Sequence, residues 1–149
     1  LIKIKNLVYL YYIGWKPKYT TRYSLMTGLA ISKNNGSSFK RYSRSSILNL
    51  TDKEPFSILT APYVMKIKEN KWFMWYVSCN KWVNKDYPKY DIKLATSSDG
   101  KNWLQEGLTS IKLKKMRELL LDRQYYMKIK YIKCGFVMKK SWKIQNCLC

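Results

Sequence analysis

The sequence predicts an all-β protein, because strand patterns and polar turns recur along the chain. The stretch "LATSSDGKNW" at residues 94–103 reads as a strand, a Ser-Asp-Gly turn and a Trp, and "LAISKNNGSSF" at residues 29–39 repeats this pattern. Glycine supplies the positive φ that a tight hairpin turn requires, and the aromatic ring covers the returning strand. The two stretches therefore indicate two similar hairpins.

The similarity extends beyond these turns, since "IKNLVYLYYIGW" aligns with "KENKWFMWYVSC". Residues 60–106 contain four strand patterns, "TAPYVMKI", "KWFMWYVS", "YDIKLATS" and "NWLQEG", and residues 1–42 repeat the scheme. Four antiparallel strands repeated at about 64 residues are the signature of β-propeller blades. A β-sandwich whose halves match by chance is the alternative. Aligned pairs lie 64 or 65 residues apart: Asn6 with Asn70, Tyr9 with Phe73, Tyr12 with Tyr76, Ala30 with Ala95, Gly36 with Gly100 and Phe39 with Trp103.

This repeat gives a domain organisation. We expect two four-stranded blades in residues 1–110, at 1–43 and 60–107, joined by a linker at 44–59. Connections in an antiparallel meander alternate between the two ends of the strands. The tight turns are therefore expected at one edge, and the long loops 14–27 and 79–89 at the other edge together with the linker. Loops on a rigid scaffold are where binding sites are built, so the second edge is the expected ligand face.

The composition excludes some chemistry. The chain has no His, which excludes a His-assisted nucleophile and a Cys/His zinc site, and its four Cys form no pair of CxxC motifs. We therefore expect no metal and no cofactor. No apolar run approaches the length of a membrane span, and the start at Leu1 carries no signal-peptide pattern. We expect an internal piece of a longer cytoplasmic protein.

The charge is strongly basic, with 29 Lys and Arg against 9 Asp and Glu. Such a balance is typical of proteins that bind nucleic acids or anionic surfaces. Abundant Lys, Asn, Ile and Tyr also result from an A/T-rich gene, which would give the charge no function.

The pattern changes after Gly107, and residues 111–149 are rich in Lys and hold three of the four Cys. One interpretation is a solvated basic tail, helical around "KKMRELLLDRQ". The other is a frameshift near Lys115. When the tail is back-translated and read one base out of frame, it yields a third copy of "TAPYVMKIKENKWFMWYVSCN". The tail is therefore not expected to be a separate domain. Sequencing the encoding DNA separates the two interpretations.

The segments "YYIGW", "GLAIS", "NNGSSFKRYS", "ILNLTDKEPF" and "IKLATSSDGKNW" resemble, in this order, the glycosidase-type five-bladed propellers. This superfamily includes invertases, arabinanases, levansucrases and mannoside phosphorylases, and the chain is more narrowly similar to bacterial glycosylase-like members. The resemblance covers residues 1–110. It implies a partial five-bladed propeller, a carbohydrate or glycoside substrate, and hydrolase or phosphorylase chemistry in the full-length protein.

Glycoside cleavage needs two carboxyl groups that flank the bond. The resemblance implies acids just before the inner strand of successive blades, where "TDKEPF" offers Asp52 and Glu54 as candidate catalytic residues. Relatives usually show Asp-Pro-Phe where this chain has Glu54-Pro55-Phe56, so its carboxylate reaches one methylene further. Both acids have an alternative interpretation as loop residues. Another acid would lie upstream of Leu1, so the chain alone is expected to be inactive.

Aromatic rings pack on the apolar faces of sugars, and planar donors bind their hydroxyls. The candidate substrate-binding residues in the long loops are Trp15, Arg22, Tyr23, Trp82 and Tyr87. Trp72, Trp75, Tyr76 and Trp103 lie in strands and are expected to pack between blades. Asp99 is predicted to be a turn residue on the other edge. The loop lysines either meet an anionic sugar or phosphate or are solvated.

Two other functions stay open: a carbohydrate-binding propeller without catalysis, and a basic aromatic nucleic-acid binder. Nucleic acid is the less expected partner. A nucleic-acid binder is predicted to bind DNA with an affinity that falls steeply as salt is added. No membrane partner is expected. Blade faces left uncovered are expected to make the chain self-associate.

Overall fold

The computed structural model describes residues 1–112, which form β-strands and no helix. The all-β prediction is confirmed. Residues 113–149 lie outside the described residues, and with them most of the expected basic or frameshifted tail. Within residues 1–112, no helix has the length and apolar character needed to cross a membrane. The strands are β1 (Ile2–Ile4), β2 (Leu7–Pro17), β3 (Tyr23–Ser32), β4 (Lys40–Arg41), β5 (Ile58–Lys68), β6 (Lys71–Trp82), β7 (Pro88–Ser97) and β8 (Leu104–Lys112).

The strands form one open sheet in the order β1-β2-β3-β5-β6-β7-β8, with β4 also paired to β3. All neighbours are antiparallel except β3 and β5, which run parallel where Leu25 faces Ile58 and Met26 faces Leu59. We call β1–β4 the first strand set and β5–β8 the second strand set. The short β3–β5 pairing, which we call the seam, is the sheet contact between the two sets. An open sheet of this kind is consistent with partial propeller blades.

The two strand sets also pack through their side chains. Alternate residues of β6, from Trp72 to Ser78, are buried, while the residues between them are half-buried. The Trp72 ring stacks on Tyr9 of β2 with centroids 6.2 Å apart, and Trp103 meets Tyr11 edge to face at 6.2 Å. The prediction that Trp72 and Trp103 pack between strand sets is confirmed. The buried cluster contains Tyr9, Leu29, Ile47, Leu48, Leu59, Met74, Tyr76 and Ala95.

Trp75 occupies the other face of β6, where its ring packs with Tyr63 and Phe73 at 6.1 and 5.8 Å. Trp75 is expected to pack between blades, but both of these ring contacts lie within the second strand set. Tyr76 points toward the first set, but its hydroxyl group has a polar partner that is described below.

The loops differ from the prediction, since the strands run further than the turn-forming residues suggested. The predicted loop 14–27 is reduced to residues 18–22, and the predicted loop 79–89 to residues 83–87. Each pair of strands continues its ladder because the two arms of a hairpin satisfy each other's backbone groups. Pro17 ends β2, a position where a missing N–H is tolerated. β8 likewise continues to Lys112 past Gly107, whose φ of +74° accommodates a bulge.

Candidate functional site

The strand register places the ends of the long connections on a common edge, which we call the loop edge. Pro17 of β2 faces Tyr23 of β3, and Leu25 of β3 faces Ile58 at the start of β5. On the second strand set, Leu59 faces Ser78, and Trp82 faces Pro88. Both shortened loops and the end of the linker therefore lie together. The tight turns at residues 69–70, 33–37 and 98–102 lie at the opposite edge, which we call the turn edge.

Direct contacts join the two loops. The Arg22 amide donates to the Lys85 carbonyl at 3.0 Å, and the Arg22 guanidinium lies 3.5 Å from an Asp86 carboxylate oxygen. Within the second loop, the Asn84 side chain accepts from the amides of Asp86 and Tyr87 at 2.9 and 3.0 Å. Side-chain capping of this kind fixes a loop without a regular ladder. The two loops are thus bonded to each other at the loop edge.

The five candidate binding residues all lie at the loop edge, but they divide into two groups. Trp15 and Tyr87 expose 64% and 69% of their surface, and the Arg22 side chain exposes 67%. Tyr23 and Trp82 are half-buried against each other, with ring centroids 5.6 Å apart. Strand ends, rather than loops, carry Trp15, Tyr23 and Trp82. The exposed group is accessible to a ligand, whereas the second group is half-buried and packed on itself.

Tyr23 also links the strand sets through its hydroxyl group, which lies 3.1 Å from that of Tyr90. Burial raises the pKa of Tyr90, and the hydrogen bond with Tyr23 adds to the increase. Tyr90 is therefore a neutral phenol at physiological pH, and this pair serves as a structural contact.

Glu54, a candidate catalytic acid, is fully buried. The Tyr76 hydroxyl donates to one carboxylate oxygen at 2.7 Å, and the Ser78 hydroxyl donates to the other at 2.8 Å. The Lys93 ammonium lies 3.9 Å from the second oxygen, and Lys93 is only 5% exposed. The carboxylate is thus enclosed by donors from β6 and a cation from β7.

The other polar groups of this cluster also have hydrogen-bond partners close by. Lys93 also donates to the Lys53 carbonyl at 3.3 Å, which joins β7 to the linker. Burial raises the pKa of Tyr76, and its hydrogen bond to the Glu54 carboxylate adds to the increase. Tyr76 therefore stays protonated and acts as a donor. Chemically, the cluster is suited to hold a buried charge pair.

Asp52 occupies a different environment. It is exposed in the turn of residues 51–54, which is closed by reciprocal backbone hydrogen bonds between Thr51 and Glu54 at 3.2 and 2.9 Å. A carboxylate in this position is accessible to a ligand at the start of the second strand set. The two candidate acids are thus neighbours in sequence but differ completely in exposure.

The partners of Glu54 were not predicted as site residues. Lys93 carried a usable signal, because period-two alternation in "YDIKLATS" puts it on the same face as the buried Ala95. A lysine on a buried face needs an acidic partner. Among residues 1–112, no three acidic or cysteine side chains converge in a way suited to a metal ion.

The turn edge contains Asp99, whose predicted role as a turn residue fits its contacts. Its carboxylate accepts from the amides of Lys101 and Asn102 at 2.8 and 2.9 Å and from the Ser97 hydroxyl at 3.0 Å. An open cavity of about 460 Å³ lies at the same edge, lined in part by Asn70, Phe73 and Asn102, and not at Glu54. Neither candidate acid therefore lines this concave surface.

The Asp99 turn predicts a pH dependence. Burial raises the Asp99 pKa, but the hydrogen bonds outweigh it and lower the pKa from 3.8 to about 2. Because the folded pKa lies below the unfolded one, this stabilisation is complete above pH 4 and is lost as the pH falls toward 2. Urea unfolding at pH 5 and pH 2.5 should show Asp99→Ala less stable by about 1 kcal/mol at pH 5 and by a clearly smaller amount at pH 2.5, after solvent screening. An equal deficit at both pH values would contradict this.

No family model matches the chain. Two uncharacterized proteins from two strains of Mycobacterium tuberculosis are each 35% identical over 103 residues, which is 68% of this chain. The chain spans about a third of the length of these curated relatives, since the match covers 33% of each.

A solved structure resembles the described residues. It is a GH32 beta-fructofuranosidase of Bombyx mori in complex with sucrose, with a TM-score of 0.55 and 23% identity over 69% of this chain and 20% of that one. This likeness establishes the fold. The strand sets therefore have the fold of partial propeller blades, as the sequence predicted.

Proposed function

We propose that the chain is part of a carbohydrate-active five-bladed propeller protein, of the glycoside hydrolase or glycoside phosphorylase type. The saccharide would bind at the loop edge. The observation that carries this proposal is that two exposed aromatic rings, Trp15 and Tyr87, and the exposed Arg22 all lie at the loop edge, where the two loops are hydrogen-bonded to each other. Rings bind the apolar faces of a sugar, and a guanidinium donates to its hydroxyls.

For catalysis we propose Asp52 and Glu54 as the acids that this chain contributes. Asp52 is exposed and can reach a ligand directly. Glu54 is enclosed by Tyr76 and Ser78, so its contact with a substrate requires the linker to move. Cleavage needs two carboxyl groups across the bond. Because Glu54 is fully buried while Asp52 is exposed, the chain alone is expected to release no product from aryl glycosides.

A non-catalytic carbohydrate-binding propeller is the second candidate, and the burial of Glu54 favours it. A carboxylate that is 0% exposed and has both oxygens bonded to protein donors is not accessible to a ligand in this arrangement. Saccharide binding at the loop edge is common to both candidates.

The binding proposal is tested by affinity electrophoresis of the chain in gels that contain neutral or acidic polysaccharides. Trp15→Ala and Tyr87→Ala are each expected to weaken retention about 10-fold, because each removes about 1–1.5 kcal/mol of ring contact. Tyr42→Ala is the matched control, since this ring is also exposed, at 43%, but faces Lys101 on the turn edge.

Retention by a polysaccharide that is unchanged in both loop variants would contradict the proposed site. The nucleic-acid alternative is distinguished in the same series. Binding to single-stranded DNA that falls steeply with salt, without retention on any polysaccharide, would replace the carbohydrate proposal.

A further inference from the structure

The second strand set has an apolar face that is turned away from the first strand set. The strand register aligns Phe73 with Thr96 and Leu104 in one row across β6, β7 and β8. The neighbouring row extends from Tyr63 through Trp75, Leu94 and Leu108. Leu104 and Leu108 expose 61% and 51% of their surface. We call these two rows the open face.

The first strand set shows what binds such a face. In the repeat, Phe73 and Trp75 correspond to Tyr9 and Tyr11, at an offset of 64 residues. Tyr9 stacks on Trp72, and Tyr11 contacts Trp103 and donates from its hydroxyl to the Gly100 carbonyl at 2.6 Å. The homologous face is thus already covered, by the inward face and turn of the following strand set.

The chain contains a second version of that covering surface. Trp72, Met74, Gly100 and Trp103 correspond in the repeat to Val8, Leu10, Gly36 and Phe39. Leu10 is half-buried, and Phe39 is 38% exposed beside the turn of residues 33–37. We call this second surface, built from Leu10, Gly36 and Phe39, the covering face.

We propose that the open face binds the covering face of a second copy of this chain. The contact would continue the interface between the two strand sets, with Trp75 meeting Phe39 as Tyr11 meets Trp103. The Trp75 indole N–H takes the place of the Tyr11 hydroxyl as donor to the Gly36 carbonyl. Different surfaces meet in such a contact, so the association is head to tail.

Charge sets the conditions for this association. The formal net charge of +20 makes copies repel each other at low ionic strength. Salt screens that repulsion over a Debye length of about 3–10 Å between 1 M and 0.1 M, while apolar contact is retained. Association is therefore expected to increase between 50 mM and 500 mM NaCl. Complexes held by charge behave in the opposite way.

The test uses one variant for each face, measured by size-exclusion chromatography with light scattering in 500 mM NaCl. Trp75→Glu disables the open face, and Phe39→Glu disables the covering face. Wild type is expected to form oligomers, and each variant alone is expected to be monomeric. An equimolar mixture should form a dimer of twice the monomer mass, because each variant retains the face that the other lacks.

Tyr19→Glu is the matched control, since Tyr19 is 99% exposed at the loop edge and lies on neither face. It is expected to oligomerise as wild type does. Circular dichroism that matches wild type verifies that the variants are folded. A monomeric wild type, a mixture that stays monomeric, or a Tyr19→Glu variant that also dissociates would each overturn the proposal. Single variants that still oligomerise would overturn it too.

Discussion

Replacing Glu54 by glutamine is expected to lower the free energy of unfolding by about 3–5 kcal/mol, the usual cost of breaking a buried ion pair from one side. Two effects combine. Lys93 stays buried, at 5% exposure, but loses its counter-ion. The glutamine amide also brings a donor to one of two positions where Tyr76 and Ser78 already donate. Urea unfolding followed by tryptophan fluorescence measures the loss.

Lys93 provides the control in a double-mutant cycle. Lys93→Met alone leaves the Glu54 carboxylate buried without its cation, so it is also expected to be destabilising. The double variant with Glu54→Gln removes both charges and should be more stable than the sum of the two single losses predicts. If Glu54 instead were held ready for a ligand, Glu54→Gln would leave stability unchanged or increase it, since functional polar groups are commonly retained at a cost in stability.

Gly100→Ala is expected to cost about 2–4 kcal/mol, because two penalties add at one position. Gly100 has a φ of +71°, and a Cβ there would lie 3.0 Å from the Trp72 ring. Trp72 is 2% exposed and stacked on Tyr9, so it has no room to move. A shift of the turn would also break the hydrogen bond from the Tyr11 hydroxyl to the Gly100 carbonyl.

The repeat supplies a control for this variant as well. Gly36 is the equivalent residue, with a φ of +97° and no neighbouring atom within 4 Å of the position that a Cβ would take. Gly36→Ala therefore carries the backbone penalty alone, about 1–2 kcal/mol. The difference between the two losses, measured by urea unfolding, isolates the ring contact. Equal losses would show that the Trp72 ring yields to the added methyl group.

Much of the fold was predictable because the repeat records it in local patterns. Gly36 and Gly100 identify turns, and the alternation of Trp72, Met74 and Tyr76 identifies an inward face. The ends of the strands were not predictable. Whether a ladder continues past Gly14 or stops depends on its pairing with the partner strand, which the residue types of one arm do not reveal.

The position of the site was predictable from the sequence, but the burial of its acidic residues was not. Alternating connections were enough to bring Trp15 and Tyr87 to one edge. Nothing local to "TDKEPF" indicated that Glu54 would be enclosed, because its partners Tyr76, Ser78 and Lys93 come from two later strands. Burial of a side chain depends on contacts distant in sequence, so neighbouring acids such as Asp52 and Glu54 can end in opposite environments.

The seam has a consequence for the order in which the chain assembles during synthesis. β1–β4 pair with near neighbours, which closes short loops and is fast. The seam joins Leu25 and Met26 of β3 to Ile58 and Leu59 of β5, so it waits until the linker has emerged from the ribosome. Until Trp72 and Trp103 follow, the rings of Tyr9 and Tyr11 have no cover. The nascent first half is therefore the stage at which the chain most needs protection by chaperones.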